Sequence, residues 1–127
     1  MSQNAILVKF SIVDTKLCEK DSINIDSVPL NDELYQLIIG NYLSEVEIVE
    51  SNCEDTYLQE VISIDDECNQ LLRMIEGKIK YISNNKLSDD EKSTVLNALT
   101  VLLNFRKIYL LKREQYQNDN NVVLMIG

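Results

Sequence analysis

Carboxylates are the reactive side chains that this sequence supplies in greatest number. Between Lys20 and Arg73, 52 residues carry 13 Asp or Glu side chains and not one Lys or Arg. Carboxylates can transfer protons, ligate divalent cations or pair with a positively charged surface. Because a run with a single sign of charge cannot neutralise itself through local salt bridges, it favours contact with a cationic partner.

Two clusters are tight enough to suggest paired-carboxylate chemistry, the Asp-Asp-Glu runs at residues 65–67 and 89–91. Paired carboxylates hydrolyse glycosides or hold two metal ions. Each cluster, however, stands where a helix is expected to begin, and the helix dipole explains negative charge there without a function. The sequence also lacks the DxDxDG pattern of a calcium-binding loop. We therefore expect no metal site.

Other catalytic groups are missing. The chain contains no histidine, which excludes Ser-His-Asp and Cys-His sites and histidine-ligated metals. Phosphate-binding loops need clustered glycines. The three glycines of this chain stand far apart, at Gly40, Gly77 and Gly127. The sequence thus predicts a protein that is not an enzyme and needs no cofactor.

The cysteines and the apolar runs indicate the cellular compartment in which the protein is expected. Three cysteines without CxxC spacing, Cys18, Cys53 and Cys68, indicate packed free thiols in a reducing environment rather than a disulfide framework. The opening residues have no basic segment before an apolar run, so no secretory signal is expected. No apolar run approaches about 18 uninterrupted residues, so we expect no membrane span. A cytoplasmic location is the simplest expectation.

Length and charge narrow the class of partner. The 127 residues suit one domain over 1–127, and the net charge of -9 disfavours direct binding to nucleic acid or to an anionic membrane. The charge is also unevenly distributed. Residues 70–119 hold nine Lys or Arg and six Asp or Glu, a net of +3, so the acidity lies in the first half of the chain.

The elements that must position these carboxylates follow from apolar periodicity. Alternating apolar residues predict a strand over residues 5–13 and a second strand over residues 45–50 with an acidic outer face. The apolar run over residues 122–126 predicts a closing strand. Residues 57–64 fit either a strand or the start of a helix. Residues 14–30, which include the only proline, are predicted to form a loop that holds at most a short extended piece.

Three helices are predicted between these strands. Asn31 can cap a helix over residues 32–43. An apolar stripe at helical spacing runs from Ile64 to Ile82. A capping box that begins at Ser88 then starts a helix over residues 88–116, which would be about 42 Å long if unbroken. The predicted class is α+β, a small mixed or antiparallel sheet that includes both terminal strands and packs on a long helical hairpin.

These expectations favour a small acidic binding protein. We predict an inhibitor of the immunity or antitoxin kind, which neutralises a basic partner such as a nuclease toxin by blocking its active site. Six carboxylates and two aromatic anchors are the predicted contact residues: Tyr42, Glu45, Glu47, Glu50, Glu54, Asp55, Tyr57 and Glu60.

Two alternatives share this composition. One is a phage-encoded nucleic-acid mimic or anti-defence protein that uses the same electrostatics against a DNA-binding protein. The other is a structural or assembly protein that forms a homodimer through its long C-terminal helix, in which case the acidic run only keeps the protein soluble.

Overall fold

The computed structural model describes residues 3–64, 70–84 and 89–127. Within these residues the chain forms five strands and three helices, an α+β fold. In chain order the elements are β1 (Gln3–Val13), β2 (Lys16–Leu30), α1 (Asp32–Asn41), β3 (Leu43–Val49), β4 (Thr56–Ile62), α2 (Gln70–Asn84), α3 (Asp89–Gln115) and β5 (Val122–Ile126).

The strands form a closed barrel in the order β1-β2-β3-β4-β5. β1 pairs antiparallel with both β2 and β5, so the two terminal strands share the sheet as predicted. β3 and β4 form an antiparallel hairpin, and β2 meets β3 in a short parallel contact, Leu17 with Ile48 and Cys18 with Val49. The sheet is therefore mixed. Its closure into a barrel was not predicted.

β2 corrects the prediction of a loop over residues 14–30. It is a strand of 15 residues that pairs with β1 along most of its length. The turn between them lies at Asp14 and Thr15, which have φ of 51° and 67°, as in two-residue hairpin turns that need positive φ at both positions. Most side chains of β2 are exposed. Backbone pairing therefore holds the middle of this strand, whereas Cys18, Val28 and Leu30 near its two ends are buried.

The ambiguous segment after the acidic strand is extended. Residues 57–64 were compatible with a strand or a helix, and the structure has β4 at Thr56–Ile62. The predicted cap of α1 is confirmed, because the Asn31 side chain accepts a hydrogen bond from the Leu34 amide at 2.8 Å. That bond satisfies one of the free amides of the first turn.

α2 and α3 form the helical layer. The predicted helix over residues 88–116 is a single helix of 27 residues, about 40 Å long at 1.5 Å per residue. The carboxylates at residues 65–67, Cys68 and the capping residue Ser88 lie outside the described residues. The stripe predicted from Ile64 to Ile82 continues in α2, whose Leu71, Leu72 and Ile75 are buried.

Two apolar clusters make up the core. The larger lies between the helices and one side of the sheet, and includes Leu7, Leu34, Phe105 and Ile108. The smaller draws side chains from all five strands around Val8, Phe10 and Ile48, as the interior of a barrel does. The helices thus cover one side of a barrel that has its own filled interior.

α3 is apolar on more than one side. Residues Glu91–Gln115 are long and apolar enough, at a mean hydropathy of 1.2, to cross a bilayer by length and composition alone. Long core helices of soluble proteins pass the same criterion. Here Leu102, Phe105 and Ile108 are buried against the barrel, whereas Leu96 and Leu103 are exposed. The second half of the helix therefore packs against the barrel, and part of its first half is exposed.

Candidate functional site

The predicted contact carboxylates are brought together on one element. We call residues 43–62, which comprise β3, β4 and the turn between them, the acidic hairpin. It contains no Lys or Arg. It carries all six carboxylates of the predicted contact set: Glu45, Glu47, Glu50, Glu54, Asp55 and Glu60.

Three of these carboxylates lie on one exposed face. In the β3–β4 register Glu45 is directly opposite Glu60, and Glu47 is directly opposite Leu58. Side chains of a strand alternate between faces, so these four residues point to the same side. All four are exposed. Ile62, at the end of the same face, is buried under the helical layer, so the acidic face begins where the cover of the helices stops.

The outer face of the hairpin takes no part in the ion pairs between described residues. Within residues 3–64, 70–84 and 89–127 those pairs join the helices, Glu33 with Lys78 and Glu76 with Arg106. Like charges directly opposite each other destabilise an antiparallel pair. The hairpin therefore keeps an unfavourable contact that a single substitution would remove.

We expect Glu60→Lys to stabilise the fold. The change turns the repulsive pair with Glu45 into an attractive one, which should raise the free energy of unfolding by about 0.5 kcal/mol. Urea denaturation measures this change in the free energy of unfolding. Glu54→Lys is the matched control, because Glu54 lies in the turn and has no residue opposite it in the strand register. A destabilised Glu60→Lys variant would contradict the register described above.

The turn of the acidic hairpin is held in shape by its own polar groups. The Asn52 side chain accepts hydrogen bonds from the amides of Glu54 and Asp55, at 3.0 and 3.1 Å. Cys53 has φ of 62°, a left-handed conformation that non-glycine residues adopt at a small cost in energy. Glu54 and Asp55 are thereby presented at the exposed tip, while Glu50, at the end of the strand, is half-buried.

Glu19 is a residue of the candidate site that could not be predicted from the sequence pattern. It lies on β2, and its carboxylate accepts hydrogen bonds from the Ser51 amide at 3.1 Å and from the Tyr57 hydroxyl at 3.0 Å. These bonds, the one from the Ser51 amide first, lower the pKa of Glu19 below its ordinary value of 4.5. Glu19 thus adds a seventh carboxylate beside the hairpin and ties the turn to the barrel. Its position just before Lys20 placed it outside the one-signed run.

Neither predicted aromatic anchor lies among the glutamates of the outer face. Tyr57 is opposite Ile48 and packs in the barrel cluster. Burial, followed by the bond to Glu19, raises the pKa of Tyr57 to about 12, so its hydroxyl remains a donor at neutral pH. Tyr42 follows α1, and its hydroxyl donates to the Met74 sulfur at 3.2 Å. The exposed apolar residue among the glutamates is instead Leu58, which is 66% exposed.

The bond network of Glu19 predicts a pH dependence. The folded state favours the charged carboxylate, so the anchoring of the turn is complete above pH 4.5 and is lost as the pH falls through the lowered pKa of Glu19. NMR titration of the Ser51 amide should show a midpoint below 4.5. In Tyr57→Phe, which removes one donor, that midpoint should rise. A midpoint that is the same in both proteins would show that the Tyr57 hydroxyl does not stabilise the carboxylate.

The chain matches no protein family, no curated protein and no solved structure. The candidate site is an antiparallel hairpin with seven carboxylates on or beside it, an exposed leucine among them, and no Lys or Arg in its sequence.

Proposed function

We propose that this protein is a small acidic inhibitor of the immunity or antitoxin kind, and that the acidic hairpin is the surface that binds its basic partner. One observation carries the proposal. Glu45 and Glu60 face each other across two paired strands, and neither takes part in an ion pair between described residues. A surface selected only for solubility would mix both signs of charge, whereas a contact surface for a cationic partner gains affinity from the uncompensated charge.

The hairpin is suited to blocking a nucleic-acid-binding site. Nucleases hold phosphates with Lys and Arg, and carboxylates on a rigid strand pair can bind the same cations. The carboxylates of the outer face and those of the turn belong to one pair of strands in the wall of the barrel, so a single partner surface would contact both. Opposite charge would also speed association, with a rate that falls as salt rises. Leu58 would supply the desolvated apolar contact at the centre of the interface.

The remaining parts of the proposal follow from this role. The protein would act by occlusion rather than by catalysis, without a cofactor, in the cytoplasm where its target works. Its charge opposes direct contact with nucleic acid or with an anionic membrane surface.

A homodimer is the second candidate, and it rests on α3. Leu96 and Leu103 are one heptad apart on this helix and are 58% and 46% exposed. Exposed leucines at that spacing can form a seam between two helices. Sedimentation of the purified protein separates the candidates. The homodimer would be favoured over the inhibitor if the protein forms a stable dimer that dissociates in the Leu96→Glu and Leu103→Glu variants, and if it binds no basic protein.

Capture from the native host tests the inhibitor proposal. The wild-type chain is used as bait, and the Glu45, Glu47 and Glu60→Lys triple variant is the matched control bait. We expect a basic protein that binds only the wild type, elutes with salt and loses nuclease activity on addition of this chain. A captured DNA-binding protein without nuclease activity would instead support a nucleic-acid mimic. Equal capture by both baits would contradict the assignment of the hairpin.

A further inference from the structure

A groove of about 550 Å³ lies between the three helices. Its floor includes Leu34 of α1 and Leu102 of α3, both buried, and its walls include Met74 and Tyr81 of α2. Tyr81 is 71% exposed. The volume falls within the range of sites that take a drug-sized ligand or a few side chains, about 300–1,000 Å³. The groove is mainly apolar, and its rim carries the Glu33–Lys78 ion pair.

The groove adjoins the acidic hairpin. Met74 in its wall accepts the hydrogen bond from the Tyr42 hydroxyl at 3.2 Å. Tyr42 precedes Glu45 by three residues, which is about 10 Å of extended chain. The acidic face also ends at Leu43 and Ile62, which pack in the same cluster as Leu34. The wall of the groove and the base of the acidic hairpin therefore meet at Tyr42.

Gly77 keeps the groove open. It lies inside α2, where glycine is less favourable than alanine by about 0.5–1 kcal/mol. A Cβ at this position would meet nothing within 4 Å, so no close packing inside the chain requires a glycine there. Gly77 lines the groove, and any larger side chain would project into its space. The helix is thus weakened at a lining position where a larger side chain would occupy space that is now open.

We propose that this groove receives an apolar anchor side chain from the same basic partner that the acidic hairpin binds. This inference rests on the proposed function. The charge beside the groove specifies the occupant, because the acidic hairpin contains no Lys or Arg, whereas Glu33 and Lys78 at the rim pair with each other. The partner segment that fits is an amphipathic one, with Lys or Arg toward the hairpin and a Leu, Met or Phe toward Leu34 and Leu102. Methionine and tyrosine in the wall can adapt to such a side chain.

Two synthetic helical peptides of equal charge test the inference. One has lysines on one face and leucines on the other, and the second has alanine in place of every leucine, which keeps the helix propensity. Fluorescence anisotropy should show that the leucine peptide binds the wild type at least about tenfold more tightly, since burial of one leucine is worth a factor of ten or more.

Gly77→Leu fills the groove and should reduce the advantage of the leucine peptide to less than about threefold. Gly40→Leu is the matched control, because Gly40 is also a helical glycine with nothing within 4 Å of a built Cβ but does not line the groove. The Gly40→Leu variant should still bind the leucine peptide at least about tenfold more tightly than the alanine peptide. If circular dichroism shows that Gly77→Leu is unfolded, Ala98→Leu fills the groove from α3 instead.

The outcomes separate the inference from the proposed function. Equal binding of both peptides by the wild type, or an advantage that survives in the filled variants, overturns the anchor groove and leaves the acidic hairpin untouched. Failure of the wild type to bind either peptide at low salt, or equal binding by the Glu45, Glu47 and Glu60→Lys variant, contradicts the proposed function itself.

Discussion

Replacing Glu45, Glu47 and Glu60 together by lysine should weaken binding of the captured partner by about 100-fold or more. Loss of a charged contact in a desolvated interface costs several kcal/mol, and reversal adds repulsion to that loss. The fold should not change in stability, because the repulsive pair of Glu45 and Glu60 becomes a repulsive pair of lysines. Isothermal titration calorimetry and a urea denaturation curve measure the two effects.

A matched control variant distinguishes the effect of charge on the acidic hairpin from the effect of the net charge of the protein. Glu91, Glu114 and Asp119 are exposed carboxylates outside the acidic hairpin, and their reversal to lysine changes the net charge by the same amount. This control should bind within about threefold of the wild type, since long-range electrostatics alone is largely screened at physiological salt. If both triple variants lose affinity equally, the partner responds to net charge and not to the hairpin.

Phe105→Ala should strongly destabilise the fold. Phe105 of α3 is 1% exposed and lies in the main cluster beside Tyr109, with ring centroids 6.2 Å apart. Loss of a buried phenylalanine typically costs about 3–5 kcal/mol, because the cavity collapses only in part. That is a large share of the stability of a small domain, about 5–15 kcal/mol. Thermal denaturation followed by circular dichroism measures the change.

Leu103→Ala on the same helix is the control for this substitution. Leu103 is 46% exposed, so its truncation removes little buried area and should cost less than about 1 kcal/mol. Equal losses at the two positions would mean that the exposed side of α3 is covered in solution. That result would favour the homodimer and show that the barrel alone does not account for the burial of the helix.

Elements with a buried face could be predicted from the sequence. β1, β3 and α2 each carry an apolar period that matches one buried side, β5 and α3 are marked by long apolar runs, and Asn31 marks the start of α1. β2 could not be predicted, because its long middle section is exposed on both faces and its turn at Asp14 and Thr15 lacks the usual glycine. Closure of the barrel depends on a two-residue parallel contact, which leaves no local pattern in the sequence.

The candidate site could also be predicted only in part, because side-chain alternation within a strand is visible in the sequence but the pairing of strands is not. The alternation of Glu45 and Glu47 with apolar residues placed them on an outer face. The partner strand and its register could not be read from the chain, so Glu60 opposite Glu45 and the exposed Leu58 emerged only from the structure. The prediction placed Tyr57 beside the acidic residues because it is close to them in sequence. Since side chains alternate along a strand, Tyr57 instead points into the interior of the barrel.

The association rate of the captured partner with this chain, measured over a range of salt concentrations, tests the central claim most directly. If the uncompensated carboxylates of the acidic hairpin meet a cationic surface, the wild-type rate should fall by about tenfold or more between low and physiological salt. The Glu45, Glu47 and Glu60→Lys variant should associate slowly, with a rate that does not fall as salt rises. The same decline for both proteins would contradict the claim that this face of the hairpin binds the partner.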